Sequence, residues 1–113
     1  MFALFYGLKS VSPRALQFRL SNGALTVFDL NARGHWQAAH VPGAKHLAVD
    51  FSAADLPAGK STPLVFYCSN PMCRKAPSAA RRARQMGFVD VEVMSAGIAG
   101  WLSAGLATEA DNA

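Results

Sequence analysis

Cys68 and Cys73 are the two cysteines of the chain, and both lie in the stretch FYCSNPMCRKAP, with Arg74 directly after the second. An apolar run reaches Cys68, and a short polar loop separates it from Cys73. Two thiols at this spacing fit half of a metal clip, a disulfide, or a reactive thiol with a neighbour. A structural zinc site takes four ligands, and His35, His40 and His46 lie in another segment without ligand-like spacing. Two cysteines in a chain of cytoplasmic character argue against a disulfide framework. A nucleophile remains. A thiol at a strand end, facing loop amides and a helix N-terminus, ionises more readily than a free cysteine, and Arg74 and Lys75 favour the thiolate further. The thiolate is the attacking form. The alternative, a small buried hydrophobe, fits poorly with the polar loop and the basic residues that follow.

Cys73 has two readings. Across a curved loop its sulfur approaches that of Cys68, so it could resolve a persulfide or sulfenic acid there by forming a disulfide. Otherwise it points into the core beneath the next helix, the commoner fate of a buried cysteine. The planar fork of Arg74 suits bidentate binding of thiosulfate, phosphate or arsenate; its alternative is an exposed charge at a helix start. Ser69, Asn70, Pro71 and Met72 complete the loop, and Pro71 contributes no N–H.

The elements that position this loop follow from turn signals and periodicity. LFYGL is a candidate first strand. SPRALQFRLSNG reads as a helix with Ser12 as N-cap, Pro13 at the first helical position and Gly23 at the C-terminal glycine position. ALTVFDL is a buried strand ending near Asp29, and a short helix over Arg33 to Ala39 follows, ended by HVPGA. KHLAV is a third strand and DFSAADLPAG a short helical turn. PLVFY is the clearest strand, with Cys68 immediately past its end. From Arg74 to Met86 the apolar positions Ala76, Ala79, Ala80, Ala83 and Met86 recur at three- and four-residue steps, the mark of one helical face. Pro77 is tolerated only in the first turn, which sets the helix start at the end of the cysteine loop. Gly87 ends it, VDVEVM is a last strand, Ile98 to Ala104 a closing helix, and ATEADNA a frayed tail. Strands alternating with helices make an α/β domain with a mainly parallel sheet, and ligands of such sheets bind beyond the strands' carboxyl ends, where Cys68 lies.

The chain's 113 residues fit one domain, and at 51% hydrophobic residues it buries a core without staples. No apolar run is long enough for a membrane span, and MFALFYGLKSVSP reads as an ordinary strand rather than a leader, since it lacks a basic n-region. Net charge is +4, and between Leu56 and Val89 there is no acidic residue but there are Lys60, Arg74, Lys75, Arg81, Arg82 and Arg84. This is either a solvated helix face or a positive field that draws anions to the loop. No aromatic residue interleaves with these charges, so nucleic acid is not the expected partner. His40 is expected as a structural hydrogen-bonder, Asp29 as a tie for a neighbouring loop, and Trp36 and Trp101 as core.

VFYCSNPMCRKAPSAARRARQMGFVDVEVMSAGIAGW resembles the active-site half of a rhodanese-like domain: Cys68, then Ala79 with Ala80, Gly87 with Phe88, Gly97 and Trp101. VFDLNARGHWQAAHVPGA resembles the same family's first half through Asp29, His40, Pro42, Gly43 and Ala44. The resemblance spans nearly the whole chain. It implies a three-layer α/β fold with a mainly parallel five-stranded sheet flanked by helices. It also implies a Cys68 persulfide that carries sulfane sulfur from a small anionic donor to a thiol, cyanide or protein acceptor. No cofactor, metal, nucleic acid or membrane is implied. The sequence departs from the family pattern where Asn31 replaces the Arg after the first-strand Asp. The loop departs too, since Cys73 stands where it usually closes on Arg or Thr. The resulting C-x5-R spacing is similar to that of phosphatase and arsenate-reductase relatives of the fold, which stand as the enzyme alternative. A binding module with Cys68 buried, or a two-cysteine redox switch, stands as the other.

Overall fold

The computed structural model describes residues 7–111. Among the described residues, five parallel strands form one sheet in the order β1-β5-β4-β2-β3. They are β1 (Lys9–Ser10), β2 (Thr26–Asp29), β3 (Lys45–His46), β4 (Leu64–Tyr67) and β5 (Val91–Val93). The helices are α1 (Pro13–Asn22), α2 (Arg33–Ala38), α3 (Lys75–Gln85) and α4 (Gly97–Ser103), with a 3-10 turn at Ala53–Asp55. The expected α/β fold with a five-stranded parallel sheet is therefore present, with strands and helices alternating as the sequence pattern requires.

Strand β4 is central, and all four of its residues are buried. A parallel sheet covered on both faces needs such a continuous apolar run. Successive side chains point to opposite faces. Leu64, Phe66 and Cys68 join the core beneath α3 with Ala76, Ala79, Ala80 and Ala83, while Val65 and Tyr67 join Leu16, Met94 and Trp101 on the other face. The pleat alone thus assigns Cys68 to the α3 side. Phe28 of β2 stacks on Phe66 at 5.5 Å between ring centroids, tying the neighbouring strands on that same face.

Helix α1 begins as expected: Ala15 N donates to Ser12 Oγ at 3.2 Å and Pro13 occupies the first turn. Gly23 stands just after this helix but is extended rather than left-handed. Helix α3 ends in a Schellman arrangement. Gly87 adopts φ +106°, Gly87 N donates to Arg84 O, and Phe88 N donates to Ala83 O, which satisfies carbonyls left open at a helix end.

Four expectations need correction. The first strand is Lys9–Ser10, one residue past LFYGL, because pairing with β5 rather than apolar content defines it; residues 4–6 lie outside the described residues. KHLAV forms a two-residue strand that, among the described residues, pairs only on its β2 side. ATEADNA is not frayed as far as it is described. His40 and Glu109 exchange backbone hydrogen bonds at 2.9 Å each way, Gly43 N donates to Glu109 Oε1 at 2.8 Å, and Asp111 N donates to Gln37 O at 2.8 Å. Finally, the basic run is not one solvated face. The Arg82 guanidinium lies over the Phe51 ring and donates to Val49 O at 2.7 Å and Phe51 O at 2.6 Å, and Lys60 lies over Phe88.

Candidate active-site loop

Residues 68–74 leave the carboxyl end of β4 and run into the first turn of α3. The base of the loop is clamped by α4, where Ile98 N donates to Cys68 O at 2.9 Å and Ala99 N to Ser69 O at 3.0 Å. Gly97 makes this approach possible. It adopts φ +66°, and a Cβ there would fall 2.5 Å from Ser69 C and 2.6 Å from Asn70 N. The crest is closed by Asn70, whose side-chain Oδ1 accepts from Met72 N at 2.8 Å and whose carbonyl accepts from Cys73 N at 3.1 Å. Such a turn needs no Gly, because the Asn side chain stands in for a backbone acceptor.

Cys68 and Cys73 are joined by a disulfide, with 6.4 Å between their Cα atoms. The expectation against a disulfide is overturned, because the loop folds back on itself at Asn70 and brings the ends together. Both readings of Cys73 contribute: it is bonded to Cys68, and it is also partly buried against the core beneath α3. Cys68 is only 3% exposed. Met72, by contrast, stands 86% exposed at the crest, and Arg74 and Lys75 are exposed at the start of α3. Pro77 falls in the first helical turn as its chemistry requires. The loop amides of Met72 and Cys73 are taken by Asn70, so they do not point to a bound anion in this oxidised form.

Two buried polar residues, Tyr67 and Asp29, lie side by side at the carboxyl ends of β4 and β2. Tyr67, immediately before Cys68, is fully buried, and its hydroxyl accepts from Val41 N at 3.0 Å. Burial first, and the charge of Asp29 second, push its pKa far above the ordinary tyrosine value. Asp29 ends β2 opposite Tyr67. One carboxylate oxygen accepts from Asn31 N at 2.7 Å, tying the following loop as expected, and the carboxylate also faces the Tyr67 hydroxyl. The signal available for Tyr67 was its polar tip in an otherwise apolar strand.

His40 is structural in its contacts: its Nδ1 lies 2.6 Å from Trp36 O and its ring stacks on Trp36. Trp101 is core, donating to Ala107 O. Trp36 is only half-buried, anchoring the turn before β3 through Ala44 O. Among the described residues no group of three or more His, Cys, Asp or Glu is placed to hold a metal ion. No helix among them is long and apolar enough to cross a membrane.

The profile of the rhodanese-like domain family matches residues 12–104, the whole span from the α1 cap to the end of α4. The chain belongs to the rhodanese-like domain family. It is 32% identical over 100 residues to the HTH-type transcriptional regulator Rv0324 of Mycobacterium tuberculosis, a match covering 86% of this chain and 43% of the regulator. The rhodanese-like chain thus spans less than half the length of that relative. A crystal structure of the Alr3790 protein from Anabaena sp. superposes with a TM-score of 0.77 at 26% identity, covering 91% of this chain and 94% of that one. A thiosulfate sulfurtransferase from Pseudomonas aeruginosa superposes with a TM-score of 0.83 over 94% of this chain and 20% of the larger protein. At 21% identity that likeness is one of fold.

Proposed function

We propose that this rhodanese-like domain is a sulfurtransferase or persulfide carrier in which reduced Cys68 is the nucleophile. The Cys68 thiolate attacks the outer sulfur of a small anionic donor such as thiosulfate. An S–S bond forms on Cys68, the sulfur–sulfur bond of the donor breaks, and sulfite leaves with the electron pair. A thiol, cyanide or a protein acceptor then takes the outer sulfur and restores the thiolate. The observation that carries this reading is the position of Cys68: at the carboxyl end of the central strand, at the mouth of a loop that opens directly into α3. A helix start and the exposed Arg74 and Lys75 favour a thiolate and attract an anion there.

The C-x5-R phosphatase or arsenate-reductase alternative is less well supported. A cradle for a tetrahedral oxyanion needs several loop N–H groups turned inward. Pro71 has none, and those of Met72 and Cys73 are bonded to Asn70.

The deciding experiment is intact mass of the reduced protein after brief exposure to thiosulfate, in Cys73→Ser, where no second thiol faces Cys68, and in Cys68→Ser. Uptake of one sulfur atom that is removed by cyanide is expected in Cys73→Ser, with none in Cys68→Ser. Unchanged mass, with hydrolysis of a phosphate ester or consumption of arsenate instead, would overturn the reading.

A further inference from the structure

We infer that Cys73 is a resolving thiol built into the loop, so that the domain discharges its own persulfide as sulfide and stops in the disulfide form until a dithiol resets it. The inference rests on the sulfurtransferase reading of Cys68 and adds a second reacting residue to it.

The two Cα atoms stand 6.4 Å apart, inside the range a disulfide spans without backbone movement, about 4.4–6.8 Å. The approach is built into the backbone. Asn70 holds the N–H groups of Met72 and Cys73, and α4 holds the carbonyls of Cys68 and Ser69. Gly97 lets those elements touch. Cys68 is buried in one apolar cluster and Cys73 packs, partly buried, against the same cluster, so the second thiol is held beside the first. An intramolecular nucleophile in that setting acts at an effective concentration no free thiol reaches.

Closing the Cys68–Cys73 bond from a Cys68 persulfide requires attack on the inner sulfur. The Cys73 thiolate bonds to Cys68 Sγ, the inner sulfur of the persulfide. The bond from Cys68 Sγ to the outer sulfur breaks, and that sulfur leaves as HS−, carrying the electron pair and the persulfide proton. Sulfane sulfur gains two electrons, and the two cysteine thiols lose them as they become the disulfide. Transfer to an outside acceptor takes the outer sulfur instead and leaves both cysteines reduced. The two routes therefore compete, and the intramolecular one ends the cycle. Restarting it requires thiol–disulfide exchange with a dithiol reductant, which attacks one sulfur and then closes its own disulfide. The reaction that must serve this domain is dithiol reduction.

The test uses the reduced chain without oxygen, given one equivalent of thiosulfate and no acceptor, in wild type and in Cys73→Ser. The wild type is expected to release about one sulfide per chain and to end with the mass of the Cys68–Cys73 disulfide; a second round then needs added dithiothreitol. Cys73→Ser should keep the added sulfur, releasing sulfide on the order of a hundredfold more slowly. The wild-type products decide the matter even if the variant folds poorly. A wild-type persulfide that persists with no sulfide overturns the inference and leaves the transferase reading standing. If the wild type takes up no sulfur at all, both fall.

Discussion

Gly97 packs against the backbone of Ser69, where even a methyl group would fall 2.5 Å from the Ser69 carbonyl carbon. The atoms in the way are main-chain atoms of the loop that carries Cys68, so they cannot swing aside as a side chain would. Gly97 also sits at φ +66°, a conformation that favours glycine.

Gly97→Ala is therefore expected to do two things. Strain and overlap should lower stability by about 1–3 kcal/mol, seen as a lower urea midpoint with unchanged slope. Displacement of Ser69 should also slow sulfur uptake by Cys68 under conditions where the variant is fully folded. An unchanged uptake rate in folded Gly97→Ala would show that the loop does not depend on this contact.

Asn70 closes the loop from the other side, and Asn70→Ala removes the Oδ1 that accepts from Met72 N. A hydrogen bond of this kind contributes about 0.5–1.5 kcal/mol. Closing Cys68 onto Cys73 under a mild oxidant should slow several-fold, while global stability changes little because the loop crest is exposed. Disulfide formation followed by quenched alkylation and mass measures this. Equal rates in wild type and variant would mean that other contacts fold the loop back.

What the sequence made legible was local. The run PLVFY, the alanine spacing of α3, the Ser12–Pro13 start of α1 and the Gly87 stop each act within a few residues. They place Cys68 at a strand end ahead of a helix. The long-range contacts were not legible. The approach of Cys73 to Cys68 stood as one of two readings, but the contact with Gly97 that holds the loop's base comes from far along the chain. Nothing in SAGIAGW says which backbone it will touch. Strand β1 is two residues long and exists because β5 offers an edge. The tail is polar and reads as loose, yet its backbone pairs with that of His40 through main-chain groups that side-chain polarity does not reveal.

That pairing gives a further prediction. Truncation after Ala107 removes both His40–Glu109 backbone bonds, the bond from Gly43 N to Glu109 Oε1, and the bond from Asp111 N to Gln37 O. The segment is largely exposed, so the loss should stay near about 2–4 kcal/mol in all. Sulfur uptake by Cys68 should be unchanged where the truncated chain is folded, since none of these bonds involves residues 68–74. A stability equal to wild type would return the tail to the frayed state that its composition suggests.

Tyr67 links stability to pH above pH 10, and comparison with Tyr67→Phe singles out its hydroxyl. Its folded-state pKa lies well above the ordinary value of 10.0, chiefly through burial and then through the charge of Asp29. Below pH 10 the hydroxyl is neutral in both folded and unfolded chains, and its contribution is fully present. Above that value the unfolded chain releases the proton while the folded chain keeps it. Rising pH therefore favours unfolding, with a slope from this group approaching about 1.4 kcal/mol per pH unit. Tyr67→Phe should remove that part of the alkaline loss. It should also lower stability at neutral pH by about 1–3 kcal/mol, because Val41 N, which donates to the hydroxyl at 3.0 Å, is left buried without an acceptor. Urea unfolding of the two proteins from pH 8 to pH 11 would show their stabilities converging as pH rises. Parallel curves would mean that Tyr67 ionises in the folded chain as readily as in the unfolded one.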